Sequence, residues 1–385
     1  GYLAALHVGK LSPIIPIIQK ELNLSFAQAG LSLSLVQAAG MLFALMIGAF
    51  SEKLGLKRCF ITGLTILGCS SIAGYFIHDV YLLYLFRFGE GIGFLTISIC
   101  APAILKRIST PDTLNFKLGL WSSYMGVGVS LAILTIPTLL TWLSWQQLWV
   151  ILGIACFVIA VMTQLFLTVE QPKSQLNVQS NSFLNILKVT ISHPPILCLA
   201  VIFSCYTSQW ITVVGFLPTM YVDHQISLQT AGALVSVVVI ANLVGTFGAG
   251  HLLQRGVVPE RLLRFGFISM LITSGFTFVA TDWLPFELQY MSAILFSLLG
   301  GLIPTTVFAI ALKFAPQANA AAASVGLVLQ ISAMAQFLVP PLSAGLVSQT
   351  MQWASIAWVT CTLAVIGIIM VYILFNHYAK MQMQS

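Results

Sequence analysis

Apolar residues in this chain gather in long runs, at positions 1–19, 26–50, 58–77, 80–105, 116–140, 146–168, 194–221, 228–252, 260–281, 286–312, 320–347 and 352–376, with short polar stretches between them. A run of about 18 or more apolar residues is long enough to cross a bilayer as a helix. In lipid, every backbone N–H and C=O must be paired within its own segment or in a closed barrel. These runs are too long and too continuous for barrel strands. The pattern predicts an all-α integral membrane protein of twelve spans, the first being the weakest because it holds His7 and Lys10.

The longest polar stretch, Thr168 to His193, carries Glu170, Pro172, Lys173, Ser174, Asn177, Ser180, Asn181 and Ser182 with little apolar periodicity. Read as a linker, it divides the chain into an N-terminal six-helix bundle (1–168), a cytoplasmic linker (169–193) and a C-terminal six-helix bundle (194–385). Similarity between the halves is confined to a loop after the second span and another after the eighth. In such two-repeat arrangements a small solute binds near the membrane midplane, between the repeats.

Charge sharpens the topology. When loops are counted alternately from a cytoplasmic N-terminus, one side holds Lys53, Lys57, Arg58, Lys106, Arg107, Lys117, Lys173, Lys188, Arg255, Arg261, Arg264, Lys313 and Lys380, thirteen of the sixteen cations. The other side holds Lys20 beside Glu21, Asp79, Asp223, Asp282 and Glu287, while Lys10 and Arg87 fall inside runs. The positive-inside tendency then places both termini in the cytoplasm. It also accounts for the net charge of +6 without a nucleic-acid partner, since no basic cluster stands among exposed aromatics. With 58% hydrophobic and 7% charged residues, against roughly a quarter charged in a soluble domain, no water-soluble fold fits. The seven cysteines, Cys59, Cys69, Cys100, Cys156, Cys198, Cys205 and Cys361, are mostly within runs and never spaced C-x-x-C, as expected of small core residues. The chain enters its first run at Gly1 without a basic leader or a cleavage site, so a short trimmed cytoplasmic leader is expected rather than a signal peptide.

Between the second and third runs stands Gly48-Ala49-Phe50-Ser51-Glu52-Lys53-Leu54-Gly55-Leu56-Lys57-Arg58. Glycines here allow a tight turn, and an acid among bases at a helix junction can pair differently in two conformers. The spacing resembles the cytoplasmic loop signature of the major facilitator superfamily: glycine, three residues, an acid, a base, one residue, glycine, one residue, two bases. Only the conservative Glu52 and Lys53 depart from its commonest form. A basic loop that merely fixes topology is the plainer reading. The resemblance implies a 12-transmembrane-helix major facilitator fold, two six-helix bundles with pseudo-two-fold symmetry, secondary transport by alternating access, and a gating role for Gly48, Glu52, Lys53, Gly55, Lys57 and Arg58. Gly250, Arg255 and Gly256 form only a degenerate counterpart after the eighth run.

The fourth run carries Arg87-Phe88-Gly89-Glu90-Gly91-Ile92-Gly93, and Arg87, Gly91 and Gly93 match the same superfamily's fourth-helix pattern. Arg87 and Glu90, three apart, share a helical face and can pair. Two readings stand: an ion pair that locks helices, or a working pair in which Arg87 attracts an anionic substrate or modulates proton transfer while Glu90 changes protonation. In the fifth run Gly119, Gly126 and Gly128 suit close helix packing. The superfamily's drug antiporters have a glycine-proline element here; Val127 and the absence of proline before Pro137 speak against that activity.

The first run reads His7-Val8-Gly9-Lys10-Leu11-Ser12-Pro13-Ile14-Ile15-Pro16. Lys10 falls near mid-depth, where a cavity or an anionic partner suits a lysine better than lipid. A shifted span would make it interfacial instead. A lysine after glycine in a proline-rich first helix is similar to the cyanate and nitroimidazole permease branch, which implies small, often anionic, solutes. In the second half Tyr206, Gln209 and Trp210 stand together, followed by Pro218, with Asn242, Gln330 and Gln336 isolated in later runs. Such groups bridge helices or line a cavity. Trp142, Trp145, Trp149, Trp283 and Trp353, near run ends, are expected as interfacial belt residues.

No phosphate-cradling G-x-x-x-x-G-K-[ST] loop, metal cluster or nucleophile elbow occurs, so neither cofactor, metal nor direct ATP drive is expected, nor an enzyme. The expectation is a secondary active transporter moving a small anionic organic solute across a bacterial inner membrane. Its substrate contacts are Lys10, Arg87, Tyr206, Gln209, Trp210, Asn242 and Gln330, with proton coupling at Glu90 and His7. Its partners are the small-molecule substrate, protons and membrane lipid, and it is expected to be a monomer. The alternatives are a proton-driven multidrug efflux pump, indifferent to Lys10, and a membrane sensor that binds without translocating; the lack of a sizeable extramembrane domain speaks against the sensor.

Overall fold

The structure, a computed structural model, describes residues 1–110, 123–167, 188–279, 284–311, 314, 316 and 321–378, apart from the side chains at 45, 48–50, 52–53, 106–107, 321–323 and 377–378. Among the described residues the chain is helical, without strands. Nine helices there are long and apolar enough to cross a membrane. The three other expected runs fall on a broken first segment, on a helix whose expected start at 116 lies outside the described residues, and on Pro259–Phe278. The chain divides into two compact units, one of Gly1–Lys173 and Val214–Val239, the other of Ser174–Val213 and Ile240–Ser385. Of the expected linker 169–193, residues 169–187 lie outside the described residues.

The first unit begins with α1 (Tyr2–Gly9), a 3-10 turn (Ser12–Ile14) and α2 (Ile15–Glu21). The first run is therefore broken rather than continuous. Pro13 and Pro16 supply no N–H to the preceding turns, and the break falls where they remove it. Then come α3 (Phe26–Leu54), α4 (Leu56–Ala73), α5 (Val80–Ile108), α6 (Tyr124–Leu139) and α7 (Trp145–Phe166). Ser25 opens α3 and Ser144 opens α7 with reciprocal bonds to Gln28 and Gln147, while the Asp79 carboxylate accepts from Leu82 N at the start of α5. Each cap satisfies a backbone N–H that the helix start leaves orphaned. Because these helices alternate in direction, all three caps lie at the end of the bundle where α2 finishes. There Trp145 Nε1 donates to Glu21 Oε2 at 2.6 Å.

Small residues set how closely these helices approach. A Cβ on Gly93 of α5 would sit 2.6 Å from Leu67 N and 2.7 Å from Gly63 O of α4, and one on Gly153 of α7 would sit 2.8 Å from Gly68 O. Gly128 of α6 would meet Ala5 Cβ at 2.5 Å. Gly126 is buried on the same helix, and Gly119 lies outside the described residues. This is the small-residue packing that membrane helices use where lipid provides no hydrophobic drive.

The second unit contains the earlier part of α8 (Pro194–Asp223), the later part of α9 (Leu228–Gln254), and α10 (Pro259–Phe278), α11 (Phe286–Gly300), α12 (Leu302–Ala311), α13 (Ala321–Thr350) and α14 (Ala354–Ile373). Gly301 fits against Asn242 O and Gly266 against Ile303, so α9 and α10 both press on the α11–α12 junction. Ser274 and Thr360 hydroxyls meet at 2.5 Å between α10 and α14.

Two expectations need correction. The glycine-acid-base segment is not a separate short loop: α3 runs through Glu52 and Lys53 to Leu54, and Gly55 alone, at φ 94°, separates it from α4. Trp145 and Trp149 are not belt residues. They are 2% and 0% exposed, because α7 turns this face into the bundle, while Trp142 at 76% does face outward. Trp353 is half-buried, and Trp283 lies outside the described residues.

Candidate functional site: a buried charge cluster and a polar network

The break after α1 places Lys10 among side chains from α4, α5 and α7, fully buried. Lys10 Nζ pairs with Glu90 Oε1, donates to Ser71 Oγ at 2.9 Å and to His7 Nδ1 at 3.2 Å, and stands 3.8 Å over the Trp149 ring. Ser71 spends its single proton on Trp149 O, 2.7 Å away, which leaves its lone pairs to the ammonium. The second Glu90 oxygen accepts from Arg87 Nη1 at 2.7 Å. That nitrogen also reaches His7 O at 2.9 Å, one of the carbonyls that the end of α1 leaves free, and Arg87 Nε donates to Ser32 O at 3.2 Å. Among the described residues, Arg87 Nη2 has no hydrogen-bond partner, nor has Trp149 Nε1.

The contacts of His7 fit one neutral tautomer when Lys10 is charged. With Lys10 charged, Nδ1 accepts from Nζ and the ring proton sits on Nε2, facing Cys156 Sγ at 3.4 Å. A proton added at Nδ1 would have Glu90 Oε1 as its acceptor, 3.3 Å away. His7 is then neutral, and two cations share one carboxylate, leaving one positive charge in the cluster.

The second unit holds a neutral network. Tyr206 Oη donates to Asn242 Oδ1 at 3.0 Å, Asn242 Nδ2 donates to Ser297 O at 2.7 Å, and Trp210 Nε1 donates to Ser297 Oγ at 3.1 Å. Gln209 is fully buried; its amide donates to Cys205 O one turn back, and its Oε1 has no partner. Gln336 donates to Ser332 Oγ at 3.0 Å, and Ser332 meets Thr207 at 2.7 Å, tying α13 to α8. Gln330 is half-buried on α13.

Of the expected site residues, the structure thus joins Lys10, Arg87, Glu90 and His7 in one cluster, and Tyr206, Trp210 and Asn242 in another. Sequence reasoning missed Ser71, Ser32, Trp149, Cys156 and Ser297. A serine or cysteine in an apolar run carries no signal of its own, and Trp149 read as an end-of-run aromatic. In the glycine-acid-base segment, the surroundings of Gly48 and the side chains of Glu52 and Lys53 lie outside what the structure describes. Arg58 is exposed, and Lys57 Nζ donates to Gln164 O at 2.9 Å, a cation on the last turn of α7 where the helix dipole is negative. Gly256, at φ 83°, ends α9 as Gly55 ends α3.

Helices long and apolar enough to cross a bilayer, with paired charges buried in the first unit, define a polytopic membrane protein. The chain belongs to the Major Facilitator Superfamily, whose sequence pattern it matches over residues 2–334, a family of transporters rather than enzymes. It is 21% identical over 242 residues to an uncharacterized transporter of Buchnera aphidicola subsp. Schizaphis graminum, spanning 58% of this chain and only 59% of that relative's length. Among solved structures it is similar to the nucleoside transporter NupG, at TM-score 0.77 and 14% identity, covering 98% of each chain. A bacterial homologue of the human lysosomal transporter Spinster, inward-facing and occupied, gives TM-score 0.74 at 14% identity over 97% of this chain and 93% of its own. A D-xylose–proton symporter gives 0.74 at 13%, over 98% and 95%. At such identities the likeness speaks to the fold.

Proposed function

We propose that this chain is a secondary active transporter that moves a small anionic organic solute together with a proton across a bacterial inner membrane, by alternating access of two six-helix halves with both termini in the cytoplasm. The observation that carries the reading is the shared carboxylate: Lys10 and Arg87, both fully buried, divide Glu90 between them, and Arg87 Nη2 is left without a partner. Even the lower figures put an unpaired charge at the bilayer centre at about 2.5–3.5 kcal/mol. A surplus positive charge with a free donor is completed by an anion. Once a substrate anion occupies Lys10 or Arg87, Glu90 loses a counter-ion and becomes able to take a proton, with His7 Nδ1 as its nearest relay. Export of lipophilic cations is the weaker reading, because such a substrate would meet surplus positive charge and an acid already engaged twice.

The test is thermal stabilisation of the detergent-purified protein by a panel of small carboxylates, inorganic oxyanions and lipophilic cations, on wild type and Lys10→Met in parallel. A ligand of the folded state raises the melting temperature by mass action. Anion transport stands if an anion stabilises wild type and loses that effect in the variant. If only lipophilic cations act, and act equally on both, the anion reading is wrong and efflux replaces it.

A further inference from the structure

Two prolines strip donors from helix carbonyls in the first unit, and the chain covers both with groups from distant segments. Pro218 in α8 offers no N–H to Val214 O, four residues back. Ser12 takes its place in part: its single hydroxyl proton is shared between Gly215 O, 2.9 Å away, and Val214 O, 3.2 Å away. Pro137 in α6 likewise leaves Ile133 O without its helical donor. Gly232 of α9 packs so closely on that oxygen that a Cβ there would overlap it. Around these contacts Leu33 fills the space over Gly215, where any side chain would collide with it, and the Phe26 and Phe216 rings lie 5.0 Å apart. Segment 214–239 is accordingly part of the first unit, although α8 up to Val213 is not.

Phe26 opens α3 directly after the α2–α3 turn, so these contacts mark the end of the bundle where Glu21 lies. We propose that Ser12 is a gating residue: its hydroxyl latches segment 214–239 onto the first bundle and closes that end, and the latch breaks when alternating access opens it. The latch rests on the transport reading above, but its test needs no substrate. A side-chain hydroxyl shared between two helix carbonyls, one of them freed by proline, suits a gate, since the bond can be made and lost without unwinding a helix. Lys10 stands two residues before Ser12 on the same irregular stretch between α1 and α2. A ligand that draws Lys10 off Glu90 therefore pulls on the stretch that holds the latch.

The experiment is amide hydrogen exchange, read by mass spectrometry, on the full chain in detergent. It compares wild type, Ser12→Ala, Ser12→Thr, Pro218→Ala and the Ser12→Ala/Pro218→Ala double variant. Exchange reports local opening. Ser12→Ala is expected to speed exchange across 214–239 about two- to tenfold, the scale of one net hydrogen bond, without speeding it in α10. Ser12→Thr, which keeps the hydroxyl, restores the wild-type rate. In the Pro218→Ala background Val214 O regains a helical donor, so Ser12→Ala should then have a markedly smaller effect. Unchanged exchange in Ser12→Ala, a rise spread over the whole chain, or an undiminished effect in the Pro218→Ala background overturns the latch. Ser12→Cys, a weaker donor of nearly the same size, answers the same question should the alanine variant fail to fold.

Discussion

Lys10 and Glu90, 80 positions apart, meet as a fully buried ion pair, and Arg87 holds the other oxygen of the same carboxylate. The three groups are therefore unequal. Removing the acid strands two buried cations, whereas removing Lys10 leaves a balanced Arg87–Glu90 pair.

Glu90→Gln should thus cost about 3–5 kcal/mol, the scale for breaking a buried pair by deleting one partner. Lys10→Met, which keeps the chain length and leaves a matched pair, should cost about 1 kcal/mol or less by the same reasoning. Thermal unfolding in detergent compares the two. Equal losses would mean that Glu90 does not balance both cations.

The glycines separate in the same way. Gly93→Val drives a side chain into Leu67 N and Gly63 O, which are backbone atoms and cannot turn aside. Overpacking of this kind costs about 1–3 kcal/mol. Gly275, inside α10, has nothing within 4 Å of an added Cβ, so Gly275→Ala should instead stabilise by about 0.5–1 kcal/mol, the helix-interior difference between the two residues. Melting curves that moved the same way for both would refute the packing argument.

Gly55 and Gly256 test backbone conformation rather than space. Gly55 adopts φ 94° and ψ 124°, and Gly256 adopts φ 83° with open room around it. Alanine at either should lose about 1–3 kcal/mol through strain alone. The variant at Gly55 should also slow transport, because it stiffens the single residue between α3 and α4; a variant as active and as stable as wild type would show that this junction tolerates other dihedrals.

Much of this fold is legible in the amino-acid sequence. The apolar runs mark the helices because lipid forces each segment to satisfy its own backbone, and Arg87 with Glu90 declares itself by three-residue spacing. Lys10 was recognisable by depth, but its pairing with Glu90 depends on how α1 packs against α5, and no local pattern encodes that. Trp149 misled because position near a run's end does not say which face of the helix turns inward. The glycine-acid-base segment misled in the opposite sense: its polar residues extend α3 instead of leaving it, so one glycine makes the turn.

Charge accounting in the cluster predicts how transport responds to its driving forces. Empty, the cluster carries one surplus positive charge. A bound monovalent anion cancels it, and a proton on Glu90 restores it. The carrier loaded with both therefore has the same charge as the empty one, so a full cycle moves no net charge. For the anion identified by thermal shift, proteoliposomes should accumulate it about tenfold per pH unit of imposed gradient, since a one-unit difference is worth 1.36 kcal/mol. A potassium diffusion potential alone should drive no accumulation. Glu90→Gln should abolish the response to the pH gradient while leaving anion exchange across the membrane, because the permanently neutral side chain mimics the protonated state. Accumulation driven by potential alone would rule out one-to-one coupling, and a pH response surviving in Glu90→Gln would place the proton on another residue.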